Sequence, residues 1–379
     1  MGSYKKIGVV TMFSNSNYGC LLQCYAVKTI LSKFGYKSEI LVPVRHVHIE
    51  AFRKYTMKVL RYLYSLVNEE PRYYIYKRLS KMDYFIKNNL DWKYVNTKKL
   101  KAGRFNDTYA AYCVGSDQIW NPYCIEYDPE IVFLPFVDNS HKFAIAPSIA
   151  VENVPSKFIY DCKKYLVDFR YISVREKSGA QLLENILGRH VPFMIDPTLM
   201  LDKCDWDRIA DLSSIKEDED YLVTYFLGEL NPERRQIIDE LSEKYHLKVI
   251  SMLDLNDKLH YSISPAEFLY LIKNAKIVCT DSFHATVFSL IWEKAFWVFS
   301  KEVGGKLATD NGSRVENLLE LFGQRDRLLL QNRIESLDKT FDVNFENNSD
   351  FIESRVSALK CIGSYFENLK KVLVDTPKQ

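Results

Sequence analysis

Short apolar runs rich in Val, Ile and aromatic residues recur along the chain. Each ends in a polar or glycine-containing turn, and most lead into a longer stretch of helical spacing. Runs at residues 7–10, 38–42, 112–114, 143–146, 171–174 and 193–195 read as buried strands. A second series follows at 221–227, 248–252, 277–279 and 296–300. The intervening pattern predicts helices at 21–34, closed by Gly35 as its C′ residue, and from just after Arg175 through Leu187. Further helices are predicted at 232–245 with Pro232 as first residue, and at 265–274, 285–292 and 315–322. Strand and helix in alternation predict parallel sheets of the doubly wound kind. Two regions break the alternation. Residues 46–100 are rich in Tyr and Lys with a mainly helical period, as at 52–66 and 73–85, and predict a helical insertion. Residues 202–220 are charged and poor in apolar side chains, which marks a domain boundary. A last helical stretch covers 351–374.

With 379 residues, 47% of them hydrophobic, the chain can build more than one core. The predicted architecture is therefore α/β with two Rossmann-like domains. The first spans 1–210, with the helical insertion at 46–100; the second spans 216–340. The terminal helix, 348–379, is expected to pack back on the first domain. Basic and acidic residues nearly cancel, 51 against 49, so the charge gives no reason to expect nucleic acid as a partner. No apolar run approaches the ~20 residues that span a bilayer, and the expectation is a soluble, cytoplasmic protein. The insertion interleaves Lys and Arg with Tyr and Phe, for example Arg61-Tyr62-Leu63-Tyr64. Such helices either cover the domain or lie against anionic lipid headgroups, which would add peripheral contact with the cytoplasmic (inner) membrane surface. Eight cysteines are scattered without a C-x-x-C pair, which argues against a zinc site or a disulfide framework. Cys20 and Cys24 share a helix face, where metal ligation or thiol exchange competes with core packing as the expected role.

The turns carry the candidate chemistry. After the strand at 277–279 come Thr280, Asp281, Ser282 and Phe283, then His284 in the first turn of a helix. Asp281 or Ser282 is the N-cap, and the helix N-terminus favours an anion beside His284. The plain alternative for His284 is a hydrogen-bonded structural residue. The loop at 11–18 with Asn17, Tyr18 and Gly19, followed by Gln23, offers donors at a strand end; a solvated turn is the alternative. It lacks G-x-G-x-x-G spacing, so no dinucleotide fingerprint is present. Gly115 lets the backbone approach a ligand, with Ser116, Asp117, Gln118 and Asn121 adding polar groups. Arg175 ends the strand at 171–174. A Gly-rich loop at 301–312 precedes Ser313, expected to cap a helix, and Arg314, expected to face the ligand.

Five separated motifs resemble the polysaccharide pyruvyl transferase family over residues 9–323. They are Asn17-Tyr18-Gly19 with Leu22-Gln23 and Tyr25-Ala26, then Val114 through Asn121, Ser173 through Gly179, Asp196-Pro197-Thr198, and Thr280 through His284. The insertion carries no motif. The resemblance implies a GT-B-like fold with a ligand cleft between Rossmann-like halves. It implies transfer of the carboxyvinyl carbons of phosphoenolpyruvate (PEP) to two hydroxyls of a sugar, giving a pyruvate ketal in a capsule or other exopolysaccharide. Arg175 and His284 match the family's PEP-binding positions. Some relatives carry an Arg two residues before the His, where this chain has Ser282, so Lys301, Lys306 or Arg314 must supply that cation. The implied PEP set is Arg175, Ser282, Phe283, His284, Lys301, Lys306 and Arg314. The implied acceptor set, on the first domain, is Asn17, Tyr18, Gly19, Gln23, Ser116, Asp117 and Gln118.

Proton transfer falls to His284 as general acid/base, with Asp117 or Glu176 as base for the acceptor hydroxyl. An ion pair with Arg175 or Lys177 is the plain alternative for Glu176, and an Asx-turn for Asp117. The scheme needs no cofactor and no metal, PEP being the donor substrate. The acceptor is a lipid-linked (undecaprenyl diphosphate) or a nucleotide-linked saccharide, and the basic-aromatic insertion favours the first. Two alternatives stand beside this reading: a GT-B glycosyltransferase using a nucleotide sugar, and a non-catalytic polysaccharide-assembly protein.

Overall fold

Five parallel strands, β1 (Lys6–Val10), β2 (Ser38–Val44), β3 (Trp92–Asn96), β4 (Tyr109–Val114) and β5 (Lys142–Ala144), lie in the order β3-β2-β1-β4-β5. β1 and β4 hold the centre and are almost wholly buried, which is why both read as unbroken apolar runs. This is the Rossmann order, and its direction reverses between β1 and β4. The coordinates are a computed structural model that describes residues 6–14, 16–65, 71–124, 127–151, 153–303, 306–307, 312–329, 337–343, 345 and 349–375. The chain divides into two units. Unit 1 comprises Met1–Val59, Ile86–Leu201 and Glu353–Gln379, and unit 2 comprises Leu60–Phe85 and Asp202–Ile352.

Helix α1 (Tyr18–Lys33) follows β1. It ends at Phe34, after which Gly35 turns the chain at φ +87°. Beyond β5, the expected strands at 171–174 and 193–195 reduce to single bridges, Phe143 to Tyr171 and Val174 to Phe193. The Val174 amide reaches the Pro192 carbonyl and the Arg175 amide turns away to Pro147, so no ladder continues. The core below the sheet is aromatic: Trp120 packs edge-on to Phe133 and Phe169, and its indole N–H donates to the Val132 carbonyl at 2.9 Å. The last helix, Ser349–Asp375, sets Tyr365 and Phe366 against Phe143, Phe34 and Tyr36.

The insertion is not purely helical. It holds α2 (Val47–Ser65) and α3 (Pro71–Asn89), and then β3, which completes the sheet by pairing with β2. The Trp-Lys-Tyr-Val-Asn alternation of an edge strand was hidden inside a Tyr/Lys-rich segment. Leu66, at the end of the first expected helix, lies outside the described residues. Lys81 on α3 belongs to unit 2 and meets the buried Glu267 carboxylate of the same unit at 2.7 Å.

Unit 2 has its own five-stranded sheet. Its strands β6 (Tyr221–Tyr225), β7 (Lys248–Met252), β8 (Ile277–Thr280) and β9 (Ala295–Phe299) precede a short pair, β10 (Glu302–Val303) and β11 (Lys306–Leu307), and then β12 (Leu328–Leu329). The order β12-β9-β8-β6-β7 is flavodoxin-like, and it reverses between β6 and β8. The helix Pro232–Tyr245 is capped by Asn231, and Pro265–Asn274 by a Ser264/Glu267 capping box. The charged stretch expected to be a boundary contains a helix of its own, Lys203–Ala210, whose Trp206 packs on Phe288. No described helix is long and apolar enough to cross a membrane.

Candidate functional site

In unit 1 the carboxyl ends of β1 and β4 are tied by side chains. The Thr11 hydroxyl donates to the Ser116 carbonyl at 3.1 Å, and the Ser116 amide donates to Gln23 Oε1 at 3.1 Å. Gln23 Nε2 donates in turn to Thr11 Oγ1 and to the Met12 carbonyl. Gln23 is wholly buried, so it shapes the loop from within. Asn17 caps α1 by accepting from the Cys20 amide at 3.1 Å, and Tyr18 and Gly19 are buried in the first helical turn. Gly115 sits at φ +115°, and a Cβ there would lie 2.2 Å from the Ile145 carbonyl oxygen. The neighbouring chain thus demands this glycine, where the sequence suggested approach to a ligand.

Asp117 holds φ 59° and ψ −167°, a conformation that costs about 1–3 kcal/mol and recurs at functional sites. The Ser148 amide fixes it by donating to its carbonyl at 2.8 Å. The Asx-turn is not formed, since the Asp117 side chain does not cap the turn that follows. It faces Arg175 instead, Oδ1 lying 3.5 Å from Nη2. Arg175 is 4% exposed and sits among three carboxylates. Its Nη1 donates to Asp196 Oδ2 at 2.6 Å, and its Nε lies 3.5 Å from Glu176 Oε1. Asp196 is itself fixed by the Thr198 amide and hydroxyl, at 2.9 and 2.6 Å. Glu176 accepts from the Ser148 hydroxyl and from the Ile149 amide. Burial works against the guanidinium charge, but Asp196, Asp117 and Glu176 outweigh it and hold its pKa above the ordinary value.

This edge therefore gathers Gln23, Ser116, Asp117, Arg175 and Glu176, with the Glu176–Arg175 ion pair present. Gln118, half-buried beside it, accepts from Asn121 Nδ2 at 2.8 Å. Sequence reasoning gave no role to Asp196 or Ser148. The signal for Asp196 was an acid before Pro197, an N-cap followed by proline at the first helical position.

In unit 2 the turn after β8 is similarly crowded. Thr280 Oγ1 donates to the Tyr225 carbonyl at 2.5 Å and accepts from the Ser282 amide at 3.0 Å. Of the two candidate caps, Ser282 is the one used: it opens the helix Phe283–Ile291 and accepts from the Ala285 amide. Asp281 does something else. Its Oδ1 accepts from the Leu227 amide at 2.6 Å and its Oδ2 from the Gly228 amide at 2.8 Å, which ties the loop after β6 to the turn after β8. Burial raises the Asp281 pKa, and the two amides and the Lys301 charge only partly oppose it. Gly228 is tightly held, because a Cβ would lie 2.4 Å from the Glu302 carbonyl oxygen and 2.9 Å from Asp281 Oδ2.

Arg234, fully buried, pins the loop after β6. Its Nη1 donates to the Glu229 carbonyl at 2.8 Å and its Nη2 meets Glu302 Oε1 at 3.0 Å. His284 is the second residue of its helix and only 8% exposed, with the Phe283 ring edge-on at 5.2 Å. Lys301 is half-buried and its charge reaches Asp281. Arg314 is buried on the helix Gly312–Leu321, which packs against Phe283–Ile291. That helix begins before Ser313, so Ser313 is not its cap. The side chain of Lys306 lies outside the described residues, as do residues 304–305 and 308–311 of the loop. Among the described residues no cluster of three or more His, Cys, Asp or Glu could hold a metal ion.

Two parallel sheets, each with a switch point at its carboxyl edge, define a protein of two Rossmann-like α/β units, the GT-B type of fold. The UDP-GlcNAc 2-epimerase of Neisseria meningitidis, solved with UDP-GlcNAc bound, shares it: TM-score 0.54 at 12% identity, over 94% of this chain and 100% of that one. The UDP-GlcNAc 2-epimerase of Methanocaldococcus jannaschii is similar over 94% of this chain and 100% of its own, at 13% identity and TM-score 0.48. No curated protein matches the sequence. The chain belongs to the polysaccharide pyruvyl transferase family, whose sequence profile, described as "Polysaccharide pyruvyl transferase", matches residues 17–301.

Proposed function

We propose that this transferase moves the pyruvyl group of PEP onto two hydroxyls of one sugar in a surface-polysaccharide precursor. Family membership carries the reading. The single structural observation that supports it best is His284, a titratable side chain in the first turn of a helix whose cap, Ser282, and neighbour, Asp281, are both fixed. The reaction is balanced without a cofactor. The PEP methylene carbon gains a proton, and the electrophilic carbon beside it takes one sugar oxygen. Phosphate leaves and a second sugar oxygen closes the ketal. Of the two hydroxyl protons, one matches the proton gained by carbon and the other departs with phosphate. His284 is the group that gives the proton to carbon, and Lys301 is the nearby cation for the phosphate.

Arg175 has a narrower role on this reading than a bare arginine would. Its shortest bond is to Asp196, so an incoming carboxylate or phosphate competes with the longer contact to Asp117. Displaced in that way, Asp117 would be freed to act as a base at the edge of unit 1. Incubation with PEP and a panel of saccharides tests the whole reading, with phosphate release and the mass of a pyruvyl adduct as the measurements. Release of a nucleotide from a nucleotide sugar, without consumption of PEP, would replace it with glycosyl transfer.

The lipid-linked acceptor and a peripheral place on the cytoplasmic membrane surface belong to the same proposal. Helix α2 leaves Ile49 60% and Phe52 68% exposed, with Tyr55, Val59 and Leu63 along the same side. It carries four basic residues, Arg53, Lys54, Lys58 and Arg61, against one acid, Glu50. That composition suits an anionic lipid surface. Sedimentation with phosphatidylglycerol vesicles should carry down the protein but not the Ile49→Ser/Phe52→Ser variant; equal sedimentation rejects the membrane contact.

A further inference from the structure

One strand over from the His284 turn, at the carboxyl ends of β6 and β7, unit 2 has a cavity of about 210 Å³ that the proposed chemistry does not use. Its floor is a hydroxyl pair, Thr224 Oγ1 donating to Ser251 Oγ at 3.2 Å across the two strands. Leu230 and Met252 line it, while Arg235 and Asp254 bring opposite charges to it. The frame is firm on both sides. The loop carrying Gly228 and Leu230 is held by Asp281 and by the buried Arg234, and the Ser251 amide donates to Asp257 Oδ2 at 3.1 Å. After β7 the chain turns at Leu253, φ +80°, and the Asp254 amide reaches back to the Ser251 carbonyl. Among the described residues the Arg235 guanidinium has no ion-pair partner.

The dimensions and the chemistry narrow the occupant. The volume falls below the roughly 300–1,000 Å³ that drug-sized ligands occupy, so the cavity itself holds one ring and anything joined to that ring extends out of it. A nucleobase would want an open aromatic face, and Phe226, the aromatic residue of the lining, has none to give. Its ring is 9% exposed, with Phe299 5.3 Å from one side and the Arg234 guanidinium 5.8 Å from its centroid. A polyhydroxylated ring suits what remains: two hydroxyls below, a carboxylate to accept from its hydroxyl groups, and apolar walls for its C–H faces. Arg235, exposed at the cavity and without an ion-pair partner among the described residues, is placed to take an oxyanion on that ring.

We propose that this cavity is a binding subsite for a single pyranose carrying an anionic substituent, with a sugar phosphate as the class of ligand. Arg235 takes the oxyanion, Asp254 accepts from ring hydroxyls, and Thr224 and Ser251 bond the ring from below. Assigned to the acceptor of the reaction proposed above, and resting on that reading only for this assignment, the subsite would select a sugar still joined to its phosphate carrier.

Titration calorimetry on the full chain tests it, with glucose 1-phosphate, glucuronic acid, glucose and inorganic phosphate as probes. Glucose 1-phosphate should bind saturably at one site and at least tenfold more tightly than glucose or inorganic phosphate. Arg235→Gln should weaken it tenfold or more, and Asp254→Asn several-fold. Both residues reach the surface, and the thermal unfolding temperature should stay in place for each variant. Preference for glucuronic acid would keep the oxyanion and replace phosphate by carboxylate. Absence of saturable binding to either charged sugar, or equal affinity in Arg235→Gln, overturns the subsite. PEP-dependent phosphate release in the same preparations separates the two proposals. Arg235-dependent sugar phosphate binding without PEP turnover leaves the subsite standing and removes pyruvyl transfer. Normal turnover with an unchanged acceptor KM in Arg235→Gln does the reverse for the acceptor assignment.

Discussion

The two units place an aspartate beside the switch point of a parallel sheet and satisfy it in different ways. In unit 1, Asp196 lies against a guanidinium, and two further acids, Asp117 and Glu176, surround the same cation. In unit 2, Asp281 faces no guanidinium at hydrogen-bonding distance among the described residues, and its oxygens take the Leu227 and Gly228 amides. Amide dipoles satisfy a carboxylate without cancelling its charge, whereas an ion pair cancels it. The cost of burial therefore shows differently: the Arg175 charge is held, while the Asp281 carboxyl is pushed toward its neutral form. Unit 1 has an edge with more negative than positive charge, a poor trap for a trianion until one acid moves aside. Unit 2 has Lys301 half-buried near Asp281 and Arg235 exposed, neither in an ion pair among the described residues, and sets its imidazole in a helix turn. The comparison assigns anion binding chiefly to unit 2 and gives Arg175 an organising part in unit 1.

The sharpest way to break that assignment is His284→Gln, which keeps the size and a hydrogen-bonding tip but cannot shuttle a proton near neutrality. The expected loss in kcat is about 10²–10⁴-fold, the range for general acid–base groups, with little change in the urea midpoint. Single-turnover phosphate release from PEP measures it, and a loss below tenfold would remove His284 from proton transfer. Next comes Asp196→Ala, which strands a buried cation beside its weaker partners. Removing one member of a buried pair costs about 3–5 kcal/mol, so the urea midpoint should fall steeply, and Asp196→Asn should lose less. A small loss in Asp196→Ala would mean that Asp117 and Glu176 suffice for Arg175.

Asp281→Ala is the matching change in unit 2. It leaves two part-buried amides without their acceptor, at up to about 1–3 kcal/mol for each. Hydrogen exchange at Leu227 and Gly228 should quicken while amides in unit 1 keep their rates. If both amides stay protected, another acceptor holds the loop and the contrast between the units disappears.

Much of this was legible in the sequence because buried parallel strands are written as unbroken apolar runs. Tyr221, Lys248 and Ile277 open strands where the pattern placed them, and Pro232 and Pro265 start helices as expected. What the pattern missed were edges and partners. β3 pairs on one side only and lies among lysines and tyrosines, so its two-residue period was lost in a helical segment. The runs at 171–174 and 193–195 were apolar enough for strands, yet pairing also needs a neighbour in register, which is lost where the Arg175 amide turns to Pro147. The chemistry-bearing side chains were found as residue types, but their bonds were not. Asp281 and Ser282 looked alike as caps, and only the position of the β6 loop, 54 residues earlier in the chain for Leu227, decided between them. Asp196 is 21 residues from Arg175, a pairing that no local spacing encodes.

A smaller effect sharpens the comparison from outside the switch points. His260 in unit 2 is 4% exposed and lies between two carboxylates: its Nδ1 faces Asp257 at 2.7 Å and its Nε2 faces Glu217 Oε1 at 2.9 Å. Both ring nitrogens can donate only in the imidazolium form. Lys248, at 2.6 Å from Glu217 Oε2, is the other cation in the cluster. Burial alone would lower the His260 pKa, but its hydrogen bonds and charge pairing with Asp257 and Glu217 raise it above 6.5. The folded chain thus keeps a proton that the unfolded chain releases near pH ~6.5. The stabilisation is complete below that pH and is lost as the pH climbs through the raised folded value. Thermal unfolding across that window should show a falling midpoint for the native chain and a flatter profile for His260→Gln. Because Asp257 also holds the Ser251 amide, the sugar-phosphate affinity should weaken over the same window. Parallel pH profiles for the native chain and His260→Gln would show that His260 stays neutral between its two acids, and the charge pairing inferred for unit 2 would then have to be withdrawn.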